Sequence, residues 1–345
     1  MNDLQDSRLR GNSSAYKVGV IGGGAWGTAL AILANRAGSR VQIYTRNRNV
    51  IAQIQEKRMN DAYLPGVYIS PEISVTDSAK DVCDADMLVI ATPTNYVRSV
   101  CISISDQLHA GTLLLVASKG IERGSLMLMS EVVRSVLPGN PIAIVSGPNF
   151  ADEAARGLPT ATTIACEDKS QWDLLTYAIG GKLFRPYLTD DIIGAQVGGA
   201  IKNVIAIACG IAHGRGMGEN AAAAIITRGF SEMTRLALAR GARYETMAGL
   251  AGLGDLLLTC GSKKSRNMSF GIAVGQGKSV KELLELRGRT STEGVIAAES
   301  VTKVARKYEV EMPICHAVYR ILYEQATVDE VMQTLLERPF SRDGI

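Results

Sequence analysis

The feature that most constrains this chain lies near its start. A short β-branched run, Lys17-Val18-Gly19-Val20-Ile21, breaks into Gly22-Gly23-Gly24-Ala25-Trp26-Gly27, and the helix-forming stretch TALAILANRA follows at once. Glycines at G-x-G-x-x-G spacing between a strand and a helix mark a dinucleotide-binding unit. Gly22 permits the tight turn, Gly24 lets a pyrophosphate approach the backbone, and Gly27 lets the helix lie against the sheet. The helix N-terminus offers free N–H groups and a positive dipole end to the phosphates. A glycine-rich turn without a ligand is the alternative, and it would carry the entropy cost of three glycines for no use.

The end of the second strand bears on which dinucleotide is bound. An acid about 20 residues on usually bonds the ribose 2′-OH of NAD. Here the strand ends Tyr44-Thr45-Arg46-Asn47-Arg48, with no acid. Arg46 suits a 2′-phosphate, so NAD(H) or NADP(H) is expected as cofactor, with NADPH favoured. A solvated surface arginine is the other reading of Arg46.

Strands are expected at 17–21, 41–44, 87–91, 113–117 and 142–145, with shorter ones at 162–165 and 183–188, and helices at 29–37 and 125–136. Alternating strands and helices predict a mostly parallel sheet with crossover helices. From about Gly194 the strand signal stops. The stretches 194–210, 221–240, 295–308, 317–323 and 328–336 read as helices. The division expected is a mobile extension at 1–15, an α/β dinucleotide-binding domain at 16–192 and an all-α substrate-binding domain at 193–345. The 345 residues suffice for two such domains. A net charge of +3 is too balanced for a nucleic-acid or membrane binder. The six cysteines show no C-x-x-C pair and no Cys/His metal spacing, so reduced buried thiols in a cytoplasmic protein are expected, with no metal. The polar N-terminal stretch lacks the apolar core of a signal peptide. No apolar run is expected to reach the ~18 residues that span a membrane.

Ligands of an open parallel sheet bind beyond the carboxyl ends of its strands. Those ends read Thr92-Pro93-Thr94-Asn95, Ser118-Lys119-Gly120 and Ser146-Gly147-Pro148-Asn149. Lys119 reads as functional or as a turn lysine. Further on, Lys202 and Asn203 interrupt an otherwise apolar helix at 194–208. A buried ammonium needs a partner or a shifted pKa, and a desolvated lysine can move protons near neutral pH. A lysine snorkelling to solvent past small neighbours is the alternative. Asp255 stands between glycines and an apolar run, as a functional carboxylate or as a helix cap, with Thr259 one turn on. Ser265-Arg266-Asn267 fits a phosphate clamp, or else a polar surface loop.

The blocks GGGAWGTALA, YLPG, ATPTNYVR, SKGIE, SGPNFADE, GGAIKNVIAIACG, NAAAAIITRGFSEM, GLAGLGDLLLTC and SRN, in this order, resemble the bacterial NAD(P)-dependent glycerol-3-phosphate dehydrogenases. The resemblance implies a Rossmann-like α/β domain followed by an all-α domain, and interconversion of sn-glycerol 3-phosphate and dihydroxyacetone phosphate. It implies Lys202 as proton acceptor and donor, assisted by Asp255 and Lys119. Substrate contacts are implied at Lys119, Gly147, Asn149, Lys202, Asp255, Ser265, Arg266 and Asn267, and the reading of the residues adds Asn203 and Thr259 to the expected set. Cofactor contacts are implied at Ala25, Trp26, Arg46, Lys119, Ala151, Arg266, Ser291 and Glu293, beside the turn glycines Gly22, Gly24 and Gly27 expected from their spacing. Ala25 and Asn149 stand where the family often has Ser, and Ser or Thr. The resemblance also implies a homodimer that supplies glycerol 3-phosphate for phospholipid synthesis. A related dehydrogenase of the 6-phosphogluconate or 3-hydroxyisobutyrate type, and a catalytically silent nucleotide sensor, are the competing expectations.

Overall fold

The computed structural model describes residues 15–287 and 293–339. The expected N-terminal extension, apart from Ala15, lies outside the described residues. Eight strands form one sheet: β1 (Lys17–Ile21), β2 (Arg40–Tyr44), β3 (Ile73–Thr76), β4 (Met87–Ile90), β5 (Leu113–Val116), β6 (Ile142–Ser146), β7 (Thr160–Cys166) and β8 (Phe184–Thr189). Their order is β3-β2-β1-β4-β5-β6-β7-β8. All neighbours pair parallel except β6 and β7. The first six strands thus follow the doubly wound order of dinucleotide folds.

Six α-helices lie among these strands in the described residues: α1 (Ala25–Arg36), α2 (Arg48–Lys57), α3 (Val97–Ile104), α4 (Met129–Val136), α5 (Ala151–Arg156) and α6 (Trp172–Ile179). Side chains alternate across a strand, so near-continuous apolar runs fill both faces of the sheet. Val18, Val20, Met87, Val89, Leu113 and Leu115 join one buried cluster, while Ile21, Leu88, Ile90, Leu114 and Val116 join the other.

The rest of the described chain is helical: α7 (Ile192–Gly214), α8 (Gly218–Ala239), α9 (Tyr244–Ala248), α10 (Asp255–Gly261), α11 (Arg266–Gly275), α12 (Val280–Arg287), α13 (Glu293–Lys307), α14 (Pro313–Tyr323) and α15 (Val328–Leu336). Asp191 starts α7 by accepting the Gly194 N–H at 2.8 Å, the capping such a helix end requires. The other helices form a third apolar cluster around α7. Ile192 and Ala195 of α7, with Ala251, also pack into the sheet cluster. The two halves therefore share one interior along α7.

Some elements depart from expectation. Helix α1 begins at Ala25, not 29, because Gly27 must enter the helix: a Cβ there would lie 2.0 Å from the Gly22 carbonyl oxygen. Helix α4 begins at Met129, not 125, since the preceding segment folds back through the Ile121–Leu128 bridge. The edge strand β3 was not anticipated. Contrary to the expected absence of any membrane-length apolar run, α7 has 23 residues, and its most apolar stretch has a mean hydropathy of 1.6. Some 89% of its most apolar stretch is buried within the protein.

Candidate active site

Because β1, β4, β5 and β6 run parallel, their carboxyl ends share one edge. Gly22 leaves β1 with φ at +126°, and its N–H donates to the Tyr44 carbonyl at 3.0 Å. A Cβ on Gly22 would sit 2.5 Å from the Ala91 carbonyl oxygen, so the turn is held against the end of β4. At Gly24, by contrast, a Cβ would meet nothing within 4 Å among the described residues. That open side lies at the start of α1, where Ala25 and half-buried Trp26 form the first turn. The Trp26 Nε1 is buried and has no hydrogen-bond partner among the described residues. An open glycine, a helix N-terminus and an orphaned buried donor all fit a phosphorylated cofactor. Exposed Arg46 follows β2, and Ala151 opens α5.

The next strand ends build the chemical centre. Beyond β4 and β5, the Ser118 hydroxyl donates to the Thr92 carbonyl at 2.5 Å, and Thr94 Oγ1 donates to the Lys119 carbonyl at 3.1 Å. These contacts fix the backbone that carries Lys119. Its Nζ donates to Asp255 Oδ2 at 2.7 Å and to the Gly147 carbonyl at 3.1 Å. The other oxygen of Asp255, Oδ1, accepts from Lys202 Nζ at 2.5 Å. Asp255 is 1% exposed and Lys202 9%. A single buried carboxylate from the helical half therefore bridges two ammoniums, one from each half.

This cluster holds two positive charges against one negative. Burial pushes the Lys119 ammonium down to about 8, and the neighbouring Lys202 charge adds to the effect, while Asp255 and Glu293 oppose it. Asp255 is placed by an irregular π-type turn at Leu250–Gly254, which leads directly into α10. Such turns recur at functional sites. Asp255 is the first residue of α10 and does not cap it. Thr259 gives its hydroxyl to the Asp255 carbonyl at 2.6 Å, so it supports the backbone of the turn and not the carboxylate.

Two glycines of α7 let these groups meet, and nothing in the sequence singled them out. A Cβ on Gly198 would lie 2.4 Å from the Ala251 carbonyl oxygen, so this glycine allows the π-type turn to press against α7. A Cβ on Gly199 would lie 3.2 Å from Lys119 Cδ. The signal was present only as glycines one turn before Lys202.

Gly147 has φ +143° at the end of β6. The Asn149 amide donates to Thr162 Oγ1 at 3.0 Å, and its Oδ1 is buried without a partner among the described residues. Buried Asn203 lies beside Lys202. Ser265 caps α11 by accepting the Met268 N–H at 3.2 Å, and exposed Arg266 is the first residue of that helix. Asn267 Oδ1 accepts the Gly294 N–H at 3.0 Å, which ties α11 to the first turn of α13 and so to Glu293. Ser291 lies outside the described residues. Among the described residues, no group of three or more His, Cys, Asp or Glu side chains is arranged to hold a metal. The six cysteines are buried free thiols.

A glycine turn at the switch point of a doubly wound sheet, facing a lysine–carboxylate–lysine cluster shared with a helical half, defines a two-domain dinucleotide-dependent dehydrogenase. Comparison with known proteins is more specific. Residues 17–172 match the family model for the NAD-dependent glycerol-3-phosphate dehydrogenase N-terminus, and residues 191–333 match that for the C-terminus. A curated glycerol-3-phosphate dehydrogenase (NAD(P)+) of Caulobacter vibrioides is 49% identical over 95% of this chain and 99% of its own length. One from Parvibaculum lavamentivorans is 46% identical over 94% of this chain and 97% of its own. The crystal structure of glycerol-3-phosphate dehydrogenase from Coxiella burnetii superposes with a TM-score of 0.89 at 36% identity, over 94% of this chain and 99% of that one. The chain belongs to the NAD-dependent glycerol-3-phosphate dehydrogenase family. The competing 6-phosphogluconate or 3-hydroxyisobutyrate reading is not favoured by these matches.

Proposed function

We propose that this chain interconverts sn-glycerol 3-phosphate and dihydroxyacetone phosphate, using NAD(H) or NADP(H) with NADPH favoured. The observation that carries this reading is Asp255 bridging Lys119 and Lys202 at the strand edge that also holds the glycine turn. Residues 16–192 form the dinucleotide half and 193–345 the substrate half. Gly22, Gly24, Ala25, Trp26 and Gly27 hold the pyrophosphate end of the cofactor, with Arg46 facing the 2′-phosphate. Ala151, Glu293 and Ser291 complete the cofactor's surroundings. A nicotinamide dinucleotide held by these residues would supply or accept the hydride.

Arg266, with Asn267 and Ser265 beside it, grips the substrate phosphate, and that binding energy positions the reacting carbon. In reduction the Lys202 ammonium donates a proton to the carbonyl oxygen. In oxidation the neutral amine takes the proton from the hydroxyl. Asp255 fixes Lys202 in line. Lys119 adds a second positive charge where the ketone oxygen gains negative charge. Gly147, Asn149, Asn203 and Thr259 shape the cleft around the three-carbon chain.

The enzyme acts on a free phosphorylated small molecule in the cytoplasm, without nucleic acid or membrane insertion, and provides the glycerol 3-phosphate for phospholipid synthesis. It works as a homodimer, a reading supported by the apolar run Ala221 to Ile226 on α8, which is only partly covered.

The test is oxidation of NADPH by purified protein on addition of dihydroxyacetone phosphate. Lys202→Ala is expected to lower kcat by about 10²–10⁴-fold, the usual worth of a general acid–base. NADPH binding, followed by fluorescence, should persist. A kcat close to wild type would remove Lys202 from the proton-transfer role.

A further inference from the structure

Asn60 stands in the loop after α2 and is 0% exposed. No role above requires it. A fully buried amide is costly unless its polar atoms are used. Its Nδ2 donates to the Gly23 carbonyl at 2.9 Å and to Thr28 Oγ1 at 2.8 Å. Both acceptors belong to the glycine turn and the first turns of α1. Its Oδ1 is buried with no partner among the described residues. The amide orientation follows from the two acceptors, because the reverse would set Oδ1 against the Gly23 carbonyl. The backbone of Asn60 is itself anchored, since its carbonyl accepts the Leu64 N–H at 2.7 Å and the Tyr63 N–H at 3.1 Å. Gly23 is wedged from its other side, where a Cβ would lie 2.9 Å from the Thr45 side chain.

A trans peptide points its C=O and the following N–H in opposite directions. There is no cis peptide among the described residues. Drawing the Gly23 carbonyl inward to Asn60 therefore turns the Gly24 N–H outward, at the glycine whose Cβ position is open. With the peptide flipped, the same spot would present a carbonyl oxygen to an anion. We propose that Asn60 is a positioning residue for the dinucleotide, holding the Gly23–Gly24 peptide so that its N–H faces the pyrophosphate. The proposal rests on the reading of the turn as the pyrophosphate site.

Affinity is read apart from turnover, by titrating the protein with NADPH and following quenching of tryptophan fluorescence; Trp26 lies in the turn itself. Asn60→Ala is expected to raise the Kd and KM for NADPH about tenfold or more, as loss of one oriented donor to a charged group does. At saturating cofactor, kcat and the KM for dihydroxyacetone phosphate should stay within about threefold of wild type. Inhibition by adenosine 2′-monophosphate, which has no pyrophosphate, should change by less than about twofold. Thr28→Val removes the other acceptor of the same amide and should leave NADPH affinity unchanged. If Asn60→Ala melts below the assay temperature, Asn60→Asp carries the test, because it keeps the size and sets an oxygen against the Gly23 carbonyl. Unchanged NADPH affinity in the folded Asn60 variant overturns the proposal, as does an equal loss in Thr28→Val. Gly24→Val is measured alongside: normal NADPH affinity there sinks the pyrophosphate reading of the turn, whereas a loss there with a silent Asn60 variant sinks only the role of Asn60.

Discussion

Lys119 shows what burial does to a single group. Its ammonium is drawn down to about 8 because it is taken from water and set near Lys202, with only one carboxylate between them. The protonated form is the one that donates to Asp255 and to the Gly147 carbonyl and that, on the proposed reading, attracts an anionic substrate. The kcat/KM for reduction is therefore expected to fall as pH rises through about 8 in the free enzyme. Lys119→Arg, which stays charged throughout, should lose that descending limb even at a lower rate; a limb kept in place would assign it to another group. Arg46 makes a separate prediction. Arg46→Asp should lower the ratio of NADPH to NADH efficiency by about tenfold or more, since an acid repels the 2′-phosphate and bonds a ribose hydroxyl. An unchanged ratio would take Arg46 out of cofactor choice. Lys202 was legible in the sequence because a lysine inside an apolar helix needs an explanation. That both lysines share Asp255 was not legible, since 136 residues separate Lys119 from its partner.

At the scale of elements, local pattern and tertiary contact each decided part of the outcome. Strand β1 and helix α15 have the bounds that periodicity predicts, Lys17–Ile21 and Val328–Leu336. The π-type turn before Asp255 carried no pattern of its own, because it forms where Gly198 lets that backbone press on α7. The start of α14 is similar. Its free N–H groups at Ile314 and Cys315 donate to the Glu232 carboxylate of α8 at 2.7 and 3.1 Å, a cap supplied from 82 residues away. Burial raises Glu232 to about 7 despite those two bonds and the nearby Arg235 charge. Between the ordinary carboxylate range and about 7 the folded protein holds a proton that the unfolded chain has released. Glu232 should therefore make stability fall as pH rises through that window. Glu232→Gln keeps an acceptor for the α14 N–H groups and removes the titration. Its melting temperature should vary less between pH ~5 and ~7 than that of wild type. Equal slopes in the two proteins would show that another group carries the dependence.

Across the whole molecule, one carboxylate closes the lysine cluster between the two halves, which ion pairs such as Arg240–Glu131 and Lys264–Glu153 also join. Lys119 comes from a strand end, Lys202 and Asp255 come from helices, and the three close a buried circuit between the sheet and α7. Asp255→Asn keeps the shape and leaves two ammoniums facing each other without a counter-charge. Breaking a buried pair in this way typically costs about 3–5 kcal/mol, so the variant should melt well below wild type as well as lose activity. The pH dependence distinguishes charge from shape. In the wild type, Lys119 already binds its proton less tightly folded than unfolded, so its contribution to stability rises with pH above about 8. Without Asp255, whose charge raises it, Lys119 favours the neutral form more strongly in the folded state. The melting temperature of Asp255→Asn should then recover more steeply than that of wild type between pH ~7 and ~9.5. A deficit that stays constant across this range would mean that Asp255 holds the halves together by packing and hydrogen bonding, and that the cluster's net positive charge is not what the fold restrains.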